Sequence, residues 1–363
     1  MKKITSRLAR QSIKKSFLRF LFAALLVCGV VATASISFRF LDPVGFRTHV
    51  FQPIREIAYF QKELAVLPQW NGIEKVAVPS PAHAIILSNE GLRIVADLWV
   101  PTGQGPTGAI LMLHGSSRYG RKAGLIRYMA FRFRDAGWIV LAPDARGFGE
   151  TDDPKDIANP VSWNSKEDVK RCLDYLAKHS RTDCDRIYVI GHSMGAAHAL
   201  GGALDDPRVD GVVLIGPPRY PEGTKTAYSI WNLARFSADR HLQRPIAEEV
   251  MKARVLEYLS QLDKNLLENK EHIPILLIDG ELEGQLNLTY LAGIARKISP
   301  PILYQTLPDT GHYCGVYNFF GSNVIYYRPD LFNPFMHMVL DFFRKIEDGT
   351  IRRQKSVHTR EGL

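Results

Sequence analysis

From residue 80 onward, short unbroken apolar runs alternate with stretches whose apolar residues recur at helical spacing. The apolar runs fall at residues 109–113, 138–142, 187–190, 212–215, 275–278 and 302–307. The helical stretches fall at residues 126–136, 166–178, 194–204 and 286–298. Unbroken apolar runs are typical of strands buried on both faces. The alternation therefore predicts an α/β domain built on a doubly wound, mostly parallel sheet.

Two features modify this regular pattern. Residues 83–87 and 92–99 are joined by Ser88-Asn89-Glu90-Gly91, so they predict an antiparallel hairpin at the start of the sheet. Residues 217–272, by contrast, show helical periodicity and no strand. An insertion at this position predicts a helical lid above the strand ends, where open sheets bind their ligands. The alternative is an ordinary pair of packing helices.

The N-terminal part of the chain carries a membrane signal. Residues 20–38 contain no charged side chain, and a helix of this length could cross a hydrocarbon core. Seven basic and no acidic residues precede the segment, which predicts a cytoplasmic N-terminus and an extracytoplasmic remainder, periplasmic or lumenal. We therefore expect a single transmembrane signal-anchor. A cleaved signal peptide, with Ala32-Thr33-Ala34 near the cleavage site, and a buried core helix are the alternatives.

Charge and the remaining segments complete the predicted organisation. The net charge of +9 comes from the two ends of the chain, so the body is close to neutral and a nucleic-acid partner is not expected. The predicted parts are a basic cytoplasmic N-terminus at 1–19, the anchor at 20–38, a connector at 39–79, a catalytic domain at 80–346 and a basic tail at 347–363. Within the connector, residues 53–67 have the spacing of an amphipathic helix, which could lie on a membrane or on the domain.

A candidate nucleophile follows the apolar run at 187–190. Gly191-His192-Ser193-Met194-Gly195 has the form G-x-S-x-G and leads directly into a helix of small residues. A sharp strand-to-helix turn needs residues without bulk on both sides of its serine, because the backbone there is strained and crowded. The setting therefore predicts an exposed, reactive Ser193.

Four further motifs, which stand in the expected chain order with G-x-S-x-G, resemble those of the α/β-hydrolase superfamily. The resemblance covers about residues 83–346. Besides G-x-S-x-G they are H-G-S at 114–116, D-x-R-G-x-G followed by Glu150-Thr151 at 144–151, G-x-x-E at 280–283, and G-H at 311–312. The resemblance implies a catalytic triad of Ser193, Glu283 and His312. It also implies an oxyanion hole made by the backbone N–H groups of Ser116 and Met194. Thr151 stands where that family usually has Ser, and Glu283 where it usually has Asp.

These residue types suit acyl transfer chemistry. A serine hydroxyl needs a base to take its proton, and the base needs a carboxylate that orients it. His312 would be that base. Asp279 and Glu281 lie close to Glu283, so they remain alternatives for the acid. The predicted function is a membrane-anchored serine hydrolase that cleaves a carboxylic ester, or else a thioester or amide, through an acyl-enzyme.

The same residues are compatible with other functions. An acyltransferase would use the same triad, and a non-catalytic binding module would keep only the fold. The aromatic-rich residues 313–327 are expected to line an apolar acyl pocket, which would suit a small acyl ester or a lipid, or else to serve as core packing. No cofactor and no metal is predicted, because neither ligand spacing nor a phosphate-binding loop is found. Cys172 and Cys184 are expected to be free thiols, with a disulfide between them as the alternative.

Overall fold

The computed structural model describes residues 72–117, 119–157, 159–204, 206–217, 273–283, 302–318 and 321–351. The predicted N-terminal segments up to residue 71, including the anchor at 20–38, lie outside these ranges. The predicted lid, apart from residue 217, and the helix predicted at 286–298 also lie outside them. Among the helices of the described ranges, none has both the length and the apolar character needed to cross a bilayer.

Within the described residues, the main sheet is formed by the eight strands β2 (Ala82–Leu87), β3 (Arg93–Trp99), β4 (Thr107–Leu113), β5 (Ile139–Pro143), β6 (Thr182–His192), β7 (Val209–Ile215), β8 (Ile275–Gly280) and β9 (Ile302–Leu307). Their order across the sheet is β2-β3-β5-β4-β6-β7-β8-β9. Strand β3 pairs antiparallel with both β2 and β5, and every other pair in the sheet is parallel. The predicted mostly parallel sheet with an antiparallel start is confirmed.

Helices cover both faces of this sheet. They are α1 (Gly124–Asp135), α2 (Ser165–Lys178), α3 (Met194–Ala203) and α4 (Pro329–Glu347). Because side chains alternate along a strand, Leu111 of β4 packs with apolar residues of α2 and α3, whereas Ile110 packs with those of α1 and α4. The two resulting cores explain why the central strands are apolar at every position.

Local sequence signals fix two of the helix starts. The Asn164 side chain accepts a hydrogen bond from the Glu167 N–H at 3.2 Å and so caps α2. Pro329 stands in the first turn of α4, where its missing N–H would have had no helical partner in any case. Cys172 of α2 is a buried free thiol, so the alternative of a disulfide with Cys184 does not hold.

A second, three-stranded antiparallel sheet was not predicted. It consists of β1 (Glu74–Ala77), β10 (Val316–Asn318) and β11 (Val324–Tyr327) in the order β1-β11-β10. Strand β1 falls inside the predicted connector at 39–79, yet all four of its residues pair with β11. It therefore joins the chain before residue 80 to the segment that follows His312.

Candidate active site

Ser193 occupies a strained turn between β6 and α3. Its backbone angles are φ 53° and ψ −119°, in the left-handed range that side-chain-bearing residues rarely adopt. Its N–H donates to the Ile215 carbonyl at 2.8 Å, which ties the turn to the end of β7. Strain of this kind costs on the order of 1–3 kcal/mol and persists only where the surroundings enforce it.

The glycines of G-x-S-x-G are required by close backbone packing. A Cβ atom placed on Gly191 would lie 2.3 Å from the Gly195 carbonyl oxygen, and one on Gly195 would lie 2.3 Å from that of Leu113. Both distances are far below van der Waals contact, so a side chain at either position would force the turn open. The spacing predicted from the sequence is therefore the spacing that this turn demands.

The predicted oxyanion residues come from two elements that meet at Ser193. A Cβ on Gly115 would lie 2.9 Å from the Ser193 Cβ, so the loop after β4 runs directly beside the serine. Ser116 is the next residue in that loop and is half-buried. Met194 is the first residue of α3, and an N–H in the first turn of a helix has no partner within the helix. Both N–H groups thus belong to backbone placed next to Ser193.

His114 is held in a structural role below this loop. Its Nε2 accepts the Ala145 N–H at 2.8 Å, so the ring proton is on Nδ1, which donates to the Gly115 carbonyl at 2.6 Å. Burial lowers the pKa of His114 below its ordinary value. A neutral ring with both nitrogens engaged shapes the turn at Gly115 and has no lone pair left to act as a base.

His312 lies on the loop that joins β9 to β10. The loop carries two non-glycine residues with positive φ, Asp309 and Cys314, and it packs against the end of β8. The Thr310 carbonyl accepts the Leu282 N–H at 3.0 Å, and it would lie 2.1 Å from a Cβ placed on Gly280. The half-buried ring of His312 lies 4.6 Å from the ring of His192, the residue before the nucleophile. The structure thus brings this loop, residues 308–315 (the histidine loop), next to the turn that carries Ser193.

The three candidate acids follow one another at the end of β8. Asp279 is 1% exposed within the strand. Glu281 is exposed, and its carboxylate accepts the Asp309 N–H at 3.1 Å. Glu283 ends a short 3-10 turn (Glu281–Glu283), and its side chain lies outside the described part of the chain. Glu281 is therefore already engaged in fastening the histidine loop.

The predicted aromatic pocket residues divide between two roles. Tyr313 is half-buried and lies 5.4 Å, ring to ring, from His312. Tyr317 is 4% exposed, and the Tyr327 ring packs 4.6 Å from the ring of Tyr128 on α1. Core packing, the alternative expectation, thus describes Tyr317 and Tyr327, whereas Tyr313 lies beside a candidate catalytic residue. Phe319 and Phe320 lie outside the described residues.

A buried ion-pair network supports the loop that follows β5. The Arg121 guanidinium donates to Asp97 Oδ1 at 2.7 Å, to Asp144 Oδ2, and to Glu150 Oε2 at 2.8 Å. Burial alone would lower the pKa of Arg121, but the facing carboxylates raise it above its ordinary value. The sequence motif identified Asp144 and Glu150 but gave no sign of Arg121, which lies in no periodic stretch.

Replacing Arg121 by Met is expected to lower the free energy of unfolding by about 3–5 kcal/mol. It leaves the buried Asp144 carboxylate without its cation and removes the nearer guanidinium from Asp97, which keeps the Arg127 guanidinium at 3.8 Å. Urea unfolding followed by circular dichroism measures this. Arg93→Met is the control, since it breaks the exposed pair with Asp152 and is expected to change the midpoint little. Equal urea midpoints for Arg121→Met and Arg93→Met would contradict the prediction that the buried ion pairs of Arg121 stabilise the fold.

Comparison with known proteins supplies the family. Residues 110–318, more than half of the chain, match the model of the Alpha/beta hydrolase family. Esterase EstD of Thermotoga maritima is 32% identical over 127 residues, which are 34% of this chain and 30% of that protein. A monoacylglycerol lipase of Mycolicibacterium smegmatis is 35% identical over 128 residues, 35% of this chain and 43% of that protein. The chain thus matches less than half the length of these curated relatives.

Solved structures agree on the fold. An esterase from Exiguobacterium antarcticum aligns with a TM-score of 0.51 at 15% identity, over 72% of this chain and 100% of that one. The structure of DcsB in complex with a substrate analogue aligns with a TM-score of 0.54 at 15% identity, over 73% and 98% of the two chains. The sheet order and the strained serine turn define an α/β-hydrolase fold. The chain belongs to the alpha/beta hydrolase family.

Proposed function

We propose that this protein is a serine hydrolase that cleaves a carboxylic ester through an acyl-enzyme formed on Ser193. The observation that carries the proposal is the backbone of Ser193, strained at φ 53° between β6 and α3 with the loops of Ser116 and His312 beside it. Ser193 is half-buried, and backbone strain retained at a nucleophilic side chain is a feature of active sites. Relatives named as an esterase and a lipase favour an ester as the substrate class.

The proposed reaction has two halves. In the first, Ser193 Oγ attacks the ester carbonyl carbon while His312 takes the hydroxyl proton, and the N–H groups of Met194 and Ser116 bind the oxyanion. His312 then delivers the proton to the departing alcohol, which leaves the acyl group on Ser193. In the second half His312 takes a proton from water, which attacks the acyl carbon. The Oγ–C bond then breaks, His312 returns the proton to Ser193 Oγ, and the acid is released. Glu283 orients the His312 ring throughout.

Covalent labelling tests this proposal directly. The full chain is treated with a fluorophosphonate probe, and the adduct is located by peptide mass mapping, with heat-unfolded protein as the control. Phosphonylation of Ser193 in folded protein and its absence after unfolding are expected, because only an assembled base makes the hydroxyl nucleophilic. Folded protein that hydrolyses esters but carries the adduct at another serine would refute the assignment.

We further propose that residues 20–38 anchor the protein as a single transmembrane helix. The uncharged stretch and the seven preceding basic residues support a cytoplasmic N-terminus and an extracytoplasmic catalytic domain. Alkaline carbonate extraction of membranes carrying the full chain should leave the protein in the pellet, and intact mass should include residues 1–38. A soluble product that begins near residue 35 would instead show a cleaved signal peptide.

A further inference from the structure

His192 joins the nucleophile turn to the histidine loop by a partly buried hydrogen bond. Its Nε2 lies 2.9 Å from the main-chain carbonyl oxygen of His312, 120 residues away in the chain. A carbonyl oxygen only accepts, so Nε2 must carry the proton and donate. His192 is 4% exposed, so the donor of this bond is buried, and the acceptor residue His312 is half-buried. The acceptor belongs to the residue that the proposed mechanism uses as its base.

The ring of His192 also contacts the other parts of the site. It lies 4.6 Å from the His312 ring and 5.6 Å from the Tyr313 ring, measured between centroids. It also approaches the loop after β4 that carries Gly115 and Ser116 (the oxyanion loop): a Cβ placed on Gly115 would lie 3.0 Å from His192 Nδ1. One side chain therefore borders the nucleophile, the oxyanion loop and the base.

We propose that His192 is a positioning residue that fixes the backbone of His312, and through it the imidazole, at the distance that proton transfer from Ser193 requires. This rests on the proposed function of Ser193 and His312. Among the described residues, three contacts then fasten the histidine loop: the Glu281 carboxylate holds Asp309, the Leu282 N–H holds Thr310, and His192 holds His312 itself. Displacing a reacting group by about 1 Å can lower the rate roughly 100-fold. Holding the His312 carbonyl in place therefore keeps the imidazole at the distance that a fast reaction requires.

A side chain that merely fills space would show different kinetics. Phe at position 192 keeps an aromatic ring against His312 and Tyr313 but has no N–H to donate. Gln keeps an N–H donor of similar reach and loses the ring. If the hydrogen bond positions His312, Gln should rescue what Phe loses. If the ring alone matters, Phe should work and Gln should fail.

The test measures hydrolysis of a short-chain p-nitrophenyl ester by the full-length protein. His192→Phe is expected to lower kcat by about 100-fold with KM changed less than threefold, and to slow fluorophosphonate labelling of Ser193 to a similar degree. His192→Gln is expected to keep kcat within about tenfold of the unsubstituted protein.

Two controls separate positioning from stability. His337→Phe makes the same change at an exposed site on α4 and should leave kcat unchanged. Val339→Ala, on the buried face of α4, is expected to lower the free energy of unfolding by roughly 2 kcal/mol while kcat stays normal. Urea unfolding of each variant shows whether it is folded under the assay conditions.

The outcomes distinguish this inference from the proposal on which it rests. A folded His192→Phe variant with normal kcat, beside an inactive Ser193→Ala variant, would overturn the positioning role alone. Equal losses in the Phe and Gln variants would overturn it as well, since the donor would then make no difference. Hydrolysis that survives Ser193→Ala would overturn both the positioning role and the proposed function.

Discussion

Ser193→Ala is expected to lower kcat for ester hydrolysis by about 10⁴-fold or more, with the protein still folded. The Oγ atom supplies the bond that forms in the first step, and no neighbouring atom can replace it at the same position. What remains is the stabilisation of a direct attack by water, through the N–H groups of Met194 and Ser116. Steady-state kinetics with a p-nitrophenyl ester measure the loss of kcat, and circular dichroism shows whether the variant is folded.

A matched control comes from another serine hydroxyl. Ser322 lies before β11, where its Oγ bonds the Val324 carbonyl at 3.2 Å. Ser322→Ala removes the same atom from a turn away from the nucleophile and should leave kcat near normal. A Ser193→Ala variant that keeps even a tenth of the original kcat would show that the hydrolysis does not pass through an acyl-enzyme on this residue.

Sequence reasoning succeeded for features that arise from local physics. The central strands are apolar on both faces because helices cover both faces, so a run such as residues 275–278 can be recognised without knowledge of its neighbours. Gly191 and Gly195 could be recognised because a tight turn leaves no room for Cβ atoms. In both cases the residues that carry the signal lie within a few positions of one another.

Features that depend on distant contacts could not be predicted in the same way. Strand β10 has three residues and strands β1 and β11 have four each, too few for an alternation to stand out, and β1 is stabilised by pairing with residues about 250 positions later. Arg121 and His192 look ordinary in the sequence because their partners, such as Asp97 and His312, come from other strands and loops. The acid was ambiguous for another reason: three carboxylates fall within five residues.

Glu283→Gln is expected to lower kcat by about 10³–10⁴-fold, nearly as much as the loss of the nucleophile, because an uncharged partner no longer stabilises the imidazolium or fixes its tautomer. Position 283 is favoured over its neighbours because it holds the acid position of the G-x-x-E motif. Glu281 already bonds the Asp309 N–H and is exposed, and Asp279 is buried within the ladder that β8 forms with β9.

Substitutions of the two neighbouring carboxylates, Glu281 and Asp279, show whether position 283 holds the acid. Glu281→Gln should cost less than about tenfold in kcat, since the amide oxygen can still accept the Asp309 N–H. Because triad members act as one unit, the double variant Ser193→Ala/Glu283→Gln should be no slower than Ser193→Ala alone. A Glu283→Gln variant within tenfold of normal, beside a folded Asp279→Asn variant that is nearly inactive, would transfer the role of the acid to Asp279. That result would place the orienting carboxylate inside the sheet, where burial and not the 3-10 turn determines its position.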